Sequence, residues 1–88
     1  MDELTASIEE YAGLFLTIDE IALLLCIDAP TLRREIRNGK TEHAKAYHRG
    51  KLTSVLEVRR QTVLFAKKGS PAAEALVNNY ISKQTSNE

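Results

Sequence analysis

Apolar positions along this chain recur at helical spacing, and no strand-like alternation stands out. Leu4, Ile8, Tyr11 and Phe15 are spaced four, three and four apart, which predicts a first helix over about 3–12 with these residues on one face. Gly13 weakens that helix near its end. Thr17-Ile18-Asp19-Glu20 reads as a capping box that starts a second helix. Leu16 and Ile21 stand where a hydrophobic staple pairs. Ile18, Ile21, Ala22 and Leu25 form the stripe of this helix, and Leu23 and Leu24 widen it nearly all round. Such a helix is expected to be buried between others.

Asp28 is a suitable N-cap for a third helix, with Pro30 tolerated in its first turn and Asn38-Gly39 as its stop. From about Thr41 to Lys68 the pattern is again helical, either continuous or broken near Gly50. Leu52, Val55, Leu56, Val63 and Ala66 share one face, with Tyr47, Val58, Thr62 and Phe65 beside it. Lys67, Lys68 and Gly69 suit a helix end, and Ser70-Pro71 the start of the next. Ala73, Leu76, Val77, Tyr80 and Ile81 complete the last stripe, and residues 83–88 are polar enough to fray. The fold class expected is all-α, about five helices: a helix-turn-helix, a long helix and a short C-terminal one. At 88 residues the chain is read as a single helical domain. The helix-turn-helix spans 17–38, and 41–82 forms a bracing and oligomerisation region.

Residues 17–37 carry the functional signal. Two short helices crossing at a tight turn need a small residue at the crossing, and Ala22 stands there. Four positions on, the turn needs another small residue. Cys26 occupies that place, where glycine is commoner, and is expected to be packed there. Ile27 follows to pack under the turn, and Leu32 and Ile36 face inward from the second helix. On a helical wheel Ala29, Leu32 and Ile36 fall within roughly 60° of one another. The opposite face holds Arg34, Asn38 and Thr31, flanked by Pro30 and Arg37 on one side and Glu35 on the other.

That face suits the DNA major groove, because Arg pairs bidentately with guanine, Asn with adenine, and Thr with base or phosphate. Arg33 and Lys40 are placed better for phosphate. The candidate DNA-binding residues are therefore Pro30, Thr31, Arg33, Arg34, Arg37, Asn38 and Lys40. A plain helical bundle also has stripes, caps and a polar outer face, so the motif alone does not decide.

Charge changes that balance. The net charge is zero, with 12 Lys and Arg against 12 Asp and Glu. Residues 1–28, however, hold seven acids and no Lys or Arg, while residues 29–68 hold eleven cations against three acids. Such asymmetry creates a local positive field in a neutral molecule. Candidate chemistry, by contrast, is thin. Cys26 is the single cysteine, and no Cys/His cluster has zinc spacing. His43 and His48 are five apart, not the four that place two ligands on one helix face. Lys67-Lys68-Gly69-Ser70 lacks the leading glycine and preceding strand of a phosphate loop. No nucleophile, acid/base pair, metal or cofactor site is expected, and so no enzyme. The acidic start lacks an apolar signal core and no apolar run approaches ~18 residues, so a cytoplasmic protein without a membrane partner is expected.

Several stretches resemble the small subunit of bacteriophage terminases: Leu-Thr-Ile-Asp-Glu-Ile-Ala at 16–22, Ile-Asp-Ala-Pro-Thr-Leu-Arg-Arg-Glu-Ile at 27–36, His-Arg-Gly-Lys at 48–51, Leu-Phe-Ala-Lys-Lys-Gly-Ser-Pro-Ala-Ala at 64–73 and Leu-Val-Asn-Asn-Tyr at 76–80. The resemblance implies a non-catalytic phage or prophage protein that recognises double-stranded DNA for packaging. It further implies a homo-oligomeric ring that hands DNA to an ATP-hydrolysing terminase large subunit. Residues 16–38 equally resemble the helix-turn-helix of many regulators and transposases. A small transcriptional regulator, or a helical interaction module that does not bind DNA, are the alternatives.

Overall fold

The computed structural model describes residues 2–88. They form five helices and no strand: α1 (Glu3–Gly13), α2 (Ile18–Leu25), α3 (Ala29–Asn38), α4 (Glu42–Lys67) and α5 (Pro71–Ser86). No helix among them is long and apolar enough to cross a membrane. The all-α expectation and its order of elements hold. α4 is continuous through Gly50, which settles the open question of one helix or two. α5 runs on to Ser86 where fraying was expected, and the Asn87 side chain closes it by donating to the Lys83 carbonyl. The chain packs as two compact units, 1–55 and 56–88, and the division falls inside α4.

In the first unit, local chemistry sets where each helix begins. Asp2 accepts from the Thr5 N–H, Thr17 from Glu20, Asp28 from Thr31, and Thr41 from Ala44. At Thr17 the box is complete, because Glu20 reaches back to accept the Thr17 N–H at 2.8 Å. Each cap satisfies a donor that the first helical turn leaves unpaired.

Helix ends are set by left-handed residues. Phe15 (φ 64°) and Cys26 (φ 57°) adopt this conformation after α1 and α2. The next amide then folds back five residues, Leu16 N–H to Tyr11 O and Ile27 N–H to Ala22 O. This is the Schellman arrangement, which glycine ordinarily serves. Gly39 (φ 79°) is also left-handed after α3, where its own N–H closes on the Glu35 carbonyl.

The core of this unit is built from Ile8 and Ala12 of α1, Ile21 and Ala22 of α2, Leu32 and Ile36 of α3, and Ala46 of α4. Tyr11, Leu16, Ile18, Leu25, Ile27, Ala29 and Tyr47 pack partly buried around it. Three sequence expectations are corrected here. The buried row of α1 is Thr5, Ile8 and Ala12, and Leu4 and Phe15 are exposed. The helix has already ended at Phe15, so its four-residue spacing no longer places it on the inner face. α2 is not buried all round: Leu23 is 81% exposed and Leu24 is exposed as well, because neighbours cover only the Ile21/Ala22 side. Cys26 is exposed, not packed, since its turn projects the side chain outward.

α4 joins this unit by a close crossing with α1. Gly50 is buried, and a Cβ built on it would overlap the Glu9 carbonyl oxygen and lie 2.9 Å from the carbonyl carbon. A Cβ on Gly13 would meet Ser54 Oγ at 3.1 Å and the Gly50 oxygen at 3.3 Å. The two glycines thus let the backbones touch. One turn of this crossing is tied by Arg49, whose Nε and Nη2 both donate to Glu9 Oε1, at 2.9 and 2.8 Å.

In the second unit, the rest of α4 and α5 form a hairpin around Gly69 (φ 95°), with Ser70 N–H folded back to Phe65 O and Ser70 Oγ capping α5 at the Ala73 N–H. Ala73 is its buried apolar residue, and Val63, Ala66, Val77 and Tyr80 are half-buried. Of the stripes expected here, Leu56 and Phe65 of α4 and Leu76 and Ile81 of α5 are exposed, as is Leu52 of α4 in the first unit. Two helices alone offer too few partners to cover both stripes.

Two substitutions separate packing from backbone propensity. Within a helix, Ala is favoured over Gly by about 1 kcal/mol. At Gly50 the steric overlap with rigid backbone outweighs this, and Gly50→Ala is expected to lose about 1–3 kcal/mol, the range for overpacking. A gain in the urea midpoint would show that the crossing is too loose for the overlap to matter. Cys26→Gly has the opposite sign. The left-handed cost of roughly 1–2 kcal/mol for an L-residue exceeds the added chain entropy of roughly 0.5–1 kcal/mol for Gly. Because the Cys26 side chain is exposed, its removal leaves no cavity. A gain of about 0.5–1 kcal/mol in urea unfolding is therefore expected, and a decrease would mean that the Cys26 thiol packs against the fold after all.

Candidate nucleic-acid interface

The face of interest is built by the turn between α2 and α3. Because Leu32 is fully buried and Ile36 nearly so against Ile21 and Ala22, the far side of α3 must point to solvent. Pro30, Thr31, Arg34, Arg37, Asn38 and Lys40 are all exposed or half-exposed there. Thr31, Arg34, Asn38 and Lys40 further line one shallow concavity of about 350 Å³ together with Glu35 and Thr41. Six of the seven predicted residues thus share one accessible region, and four of them line a common surface.

Their freedom differs. Arg34, Arg37 and Lys40 make no ion pair among the described residues. Thr31 is committed locally, with its hydroxyl donating to Asp28 Oδ2 at 2.7 Å. Arg33, expected to reach phosphate, is half-buried and ion-paired to Asp19 of α2. It ties the two helices of the motif together and is not free on the surface. An exposed pair of this kind adds little stability, but it fixes where the charge sits.

Three neighbours of this face have contacts that the spacing does not signal. Glu35, the one acid on this face of α3, faces His43 Nδ1 at 3.0 Å, so its charge is turned toward the start of α4. His48 Nε2 lies 3.3 Å from the Ile36 carbonyl, in the last turn of α3, where a donor satisfies an otherwise open acceptor. Thr41 caps α4 and lines the concavity. The histidine contacts span eight and twelve residues across a turn, and no spacing rule signals them.

The N-terminal end of α3 is also electrostatically defined. Hydrogen bonds from the Thr31 hydroxyl and backbone N–H, with a smaller contribution from the Arg34 charge, hold the Asp28 carboxyl below the usual carboxylate range. The same applies to Asp2, chiefly through its bond from the Thr5 N–H. Among the described residues no three His, Cys, Asp or Glu side chains gather to hold a metal ion. Arg-rich, neutral-amide and helix-terminal groups remain, and their shared chemistry is the recognition of anions and base edges.

The depressed Asp28 carboxyl makes a pH prediction with a definite sign. Its stabilising contribution is present above the unfolded-state value of about 3.9 and is lost as pH falls through the lower folded-state value. Asn is an equally good N-cap but does not titrate. Asp28→Asn should therefore unfold in urea close to wild type at pH 7 and show a shallower loss of stability below about pH 4. An acid dependence identical to wild type would remove Asp28 from the acid response.

Comparison with family models, curated proteins and solved structures finds no match to this chain, so the interface is read from its own geometry.

Proposed function

We propose that this chain is a non-catalytic helix-turn-helix protein that binds double-stranded DNA through α3, in the manner of a phage or prophage terminase small subunit. The observation that carries the reading is the state of the α3 face. Arg34, Arg37 and Lys40 are exposed beside Asn38 and make no ion pair among the described residues, while Glu35 faces His43 and Asp28, which feels the Arg34 charge, is held by Thr31. A structural bundle has no need to leave three cations of one outer region without an ion-pair partner.

The α2–α3 turn supports the same reading, since two short helices packed together across a three-residue link are the arrangement that helix-turn-helix proteins use to present a recognition helix. Arg34 and Asn38 are the base readers of the proposal, and Arg37 and Lys40 the phosphate contacts. Packaging and hand-over to a terminase large subunit rest on the resemblance of roughly residues 16–82, and a cytoplasmic setting on the lack of an apolar signal core at the acidic start. Assembly with further copies is supported by the exposed apolar residues of the 56–88 unit, Leu56, Leu64, Phe65, Leu76 and Ile81. Transcriptional regulation through the same face is the second reading, favoured by the α2–α3 turn itself, which regulators share.

Fluorescence anisotropy on mixed-sequence duplex DNA across a salt series tests the interface. Wild type should bind with a Kd of about 10⁻⁴–10⁻⁶ M at physiological salt, and log affinity should fall linearly with log salt. The pair Arg34→Ala and Arg37→Ala should weaken binding and flatten the slope by roughly 0.9 for each phosphate no longer neutralised. An unchanged slope, or no binding at low salt with about 100 μM protein, excludes α3 as a DNA-binding surface.

A further inference from the structure

A second cationic feature lies in the 56–88 unit, and the α3 reading makes no use of it. On α5, Tyr80, Lys83, Gln84 and Asn87 follow helical spacing and share one face. Arg59 of α4 lies over the Tyr80 ring, 4.5 Å from its centroid. These five residues line one notch of about 230 Å³. Small-molecule pockets usually fall in the range of about 300–1,000 Å³, so the notch is sized for a compact group rather than a cofactor.

Its chemistry is distinctive. Three other concavities on the described residues each include a carboxylate: Glu9 and Glu10, Glu35, or Asp2 and Glu3. The notch includes none, and holds two cations and two amides. Neither Arg59 nor Lys83 makes an ion pair among the described residues. Stacking on Tyr80 restricts the guanidinium plane while leaving its N–H edges to donate. A planar fork with a second cation beside it matches the oxygens of a phosphate, which accept bidentate bonds from Arg and a point-charge contact from Lys. Gln84 adds a neutral donor, and the Asn87 amide, one N–H of which is held by the Lys83 carbonyl, keeps its second.

We propose that the Arg59–Tyr80–Lys83 notch binds a phosphate group, and that the backbone of duplex DNA supplies it. The phosphate chemistry stands on the notch alone, whereas its source rests on the DNA-binding reading above. A backbone contact of this kind grips without reading sequence, so it complements the base-reading face of α3.

Two measurements on the full chain separate the claims. In the first, inorganic phosphate is titrated while the Arg59 side-chain Nε–H and the amides of Lys83, Gln84 and Asn87 are followed by ¹⁵N-correlated NMR. Saturable shifts confined to these signals are expected, and their absence overturns the notch. In the second, duplex anisotropy across salt compares wild type with Arg59→Gln and Lys83→Gln. Each variant should flatten the salt slope by roughly 0.9 and lower affinity several-fold at fixed salt. Arg59→Gln also removes the stack on Tyr80. Lys83→Gln, at an exposed position, is therefore the decisive variant, with helicity checked by circular dichroism. Phosphate shifts together with an unchanged slope in Lys83→Gln would overturn DNA as the source and leave a free phosphate as the ligand. If wild type binds no duplex at all, the function proposed for α3 falls, and the phosphate titration still judges the notch.

Discussion

The arrangement of the first unit depends on one backbone turn. Cys26 in the left-handed conformation lets Ile27 N–H return to the Ala22 carbonyl, which ends α2 and starts α3 within three residues. So short a link leaves little choice of crossing angle. Leu32 and Ile36 land on Ile21 and Ala22, and burying that side obliges Arg34, Asn38 and Arg37 to face outward. The exposed cationic face is in this sense a by-product of core packing, held by the same turn. Asp28 adds the second half of the constraint, capping α3 directly after the turn so that its first turn forms where the core needs it.

Charge placement follows from the same geometry. The acidic first third of the sequence does not simply sit apart from the basic middle. Asp19 reaches Arg33 and Glu9 reaches Arg49, so two cations of the middle segment are engaged by acids of the first. Glu42 pairs with Lys45 within α4, at 3.6 Å. What remains unpaired on α3 and just after it is Arg34, Arg37 and Lys40, a smaller set than composition suggests but one gathered on a single face. Screening reduces exposed pairs strongly, so their value lies in sorting the cations and not in stability.

Legibility in the sequence tracked the range of the interaction. The starts of α2, α3 and α5 were readable from their caps, because Thr17, Asp28 and Ser70 act on amides only three residues away. The outward positions of Arg34, Asn38 and Arg37 were readable from the inward ones on the same helix. Features that need a distant partner were not. Gly50 looked like a possible break, and its role depends on Glu9, about forty positions earlier. Arg33 looked free because Asp19 lies across the turn. Leu23 and Leu24 looked buried because periodicity reports apolarity, not whether another element exists to cover it.

If α3 binds DNA as proposed, the three unpaired cations on it and just after it bear on how tightly it does so. Even if Arg34 joins Arg37 and Lys40 on the phosphates, three contacts correspond to a salt slope of about −2.7, far below the roughly six to ten contacts that make binding strong and steeply salt-dependent. On that reading a single α3 face would therefore bind at the weak end, however well Arg34 and Asn38 matched base edges. Further affinity has to come from additional phosphate contacts on the same chain or from linked copies, which raise the effective concentration of the second binding event without any new contact type. The 56–88 hairpin bears on both routes, through its carboxylate-free notch and through apolar side chains that two helices alone leave uncovered. If α3 binds DNA as proposed, the hairpin is as much a determinant of the affinity as α3 itself.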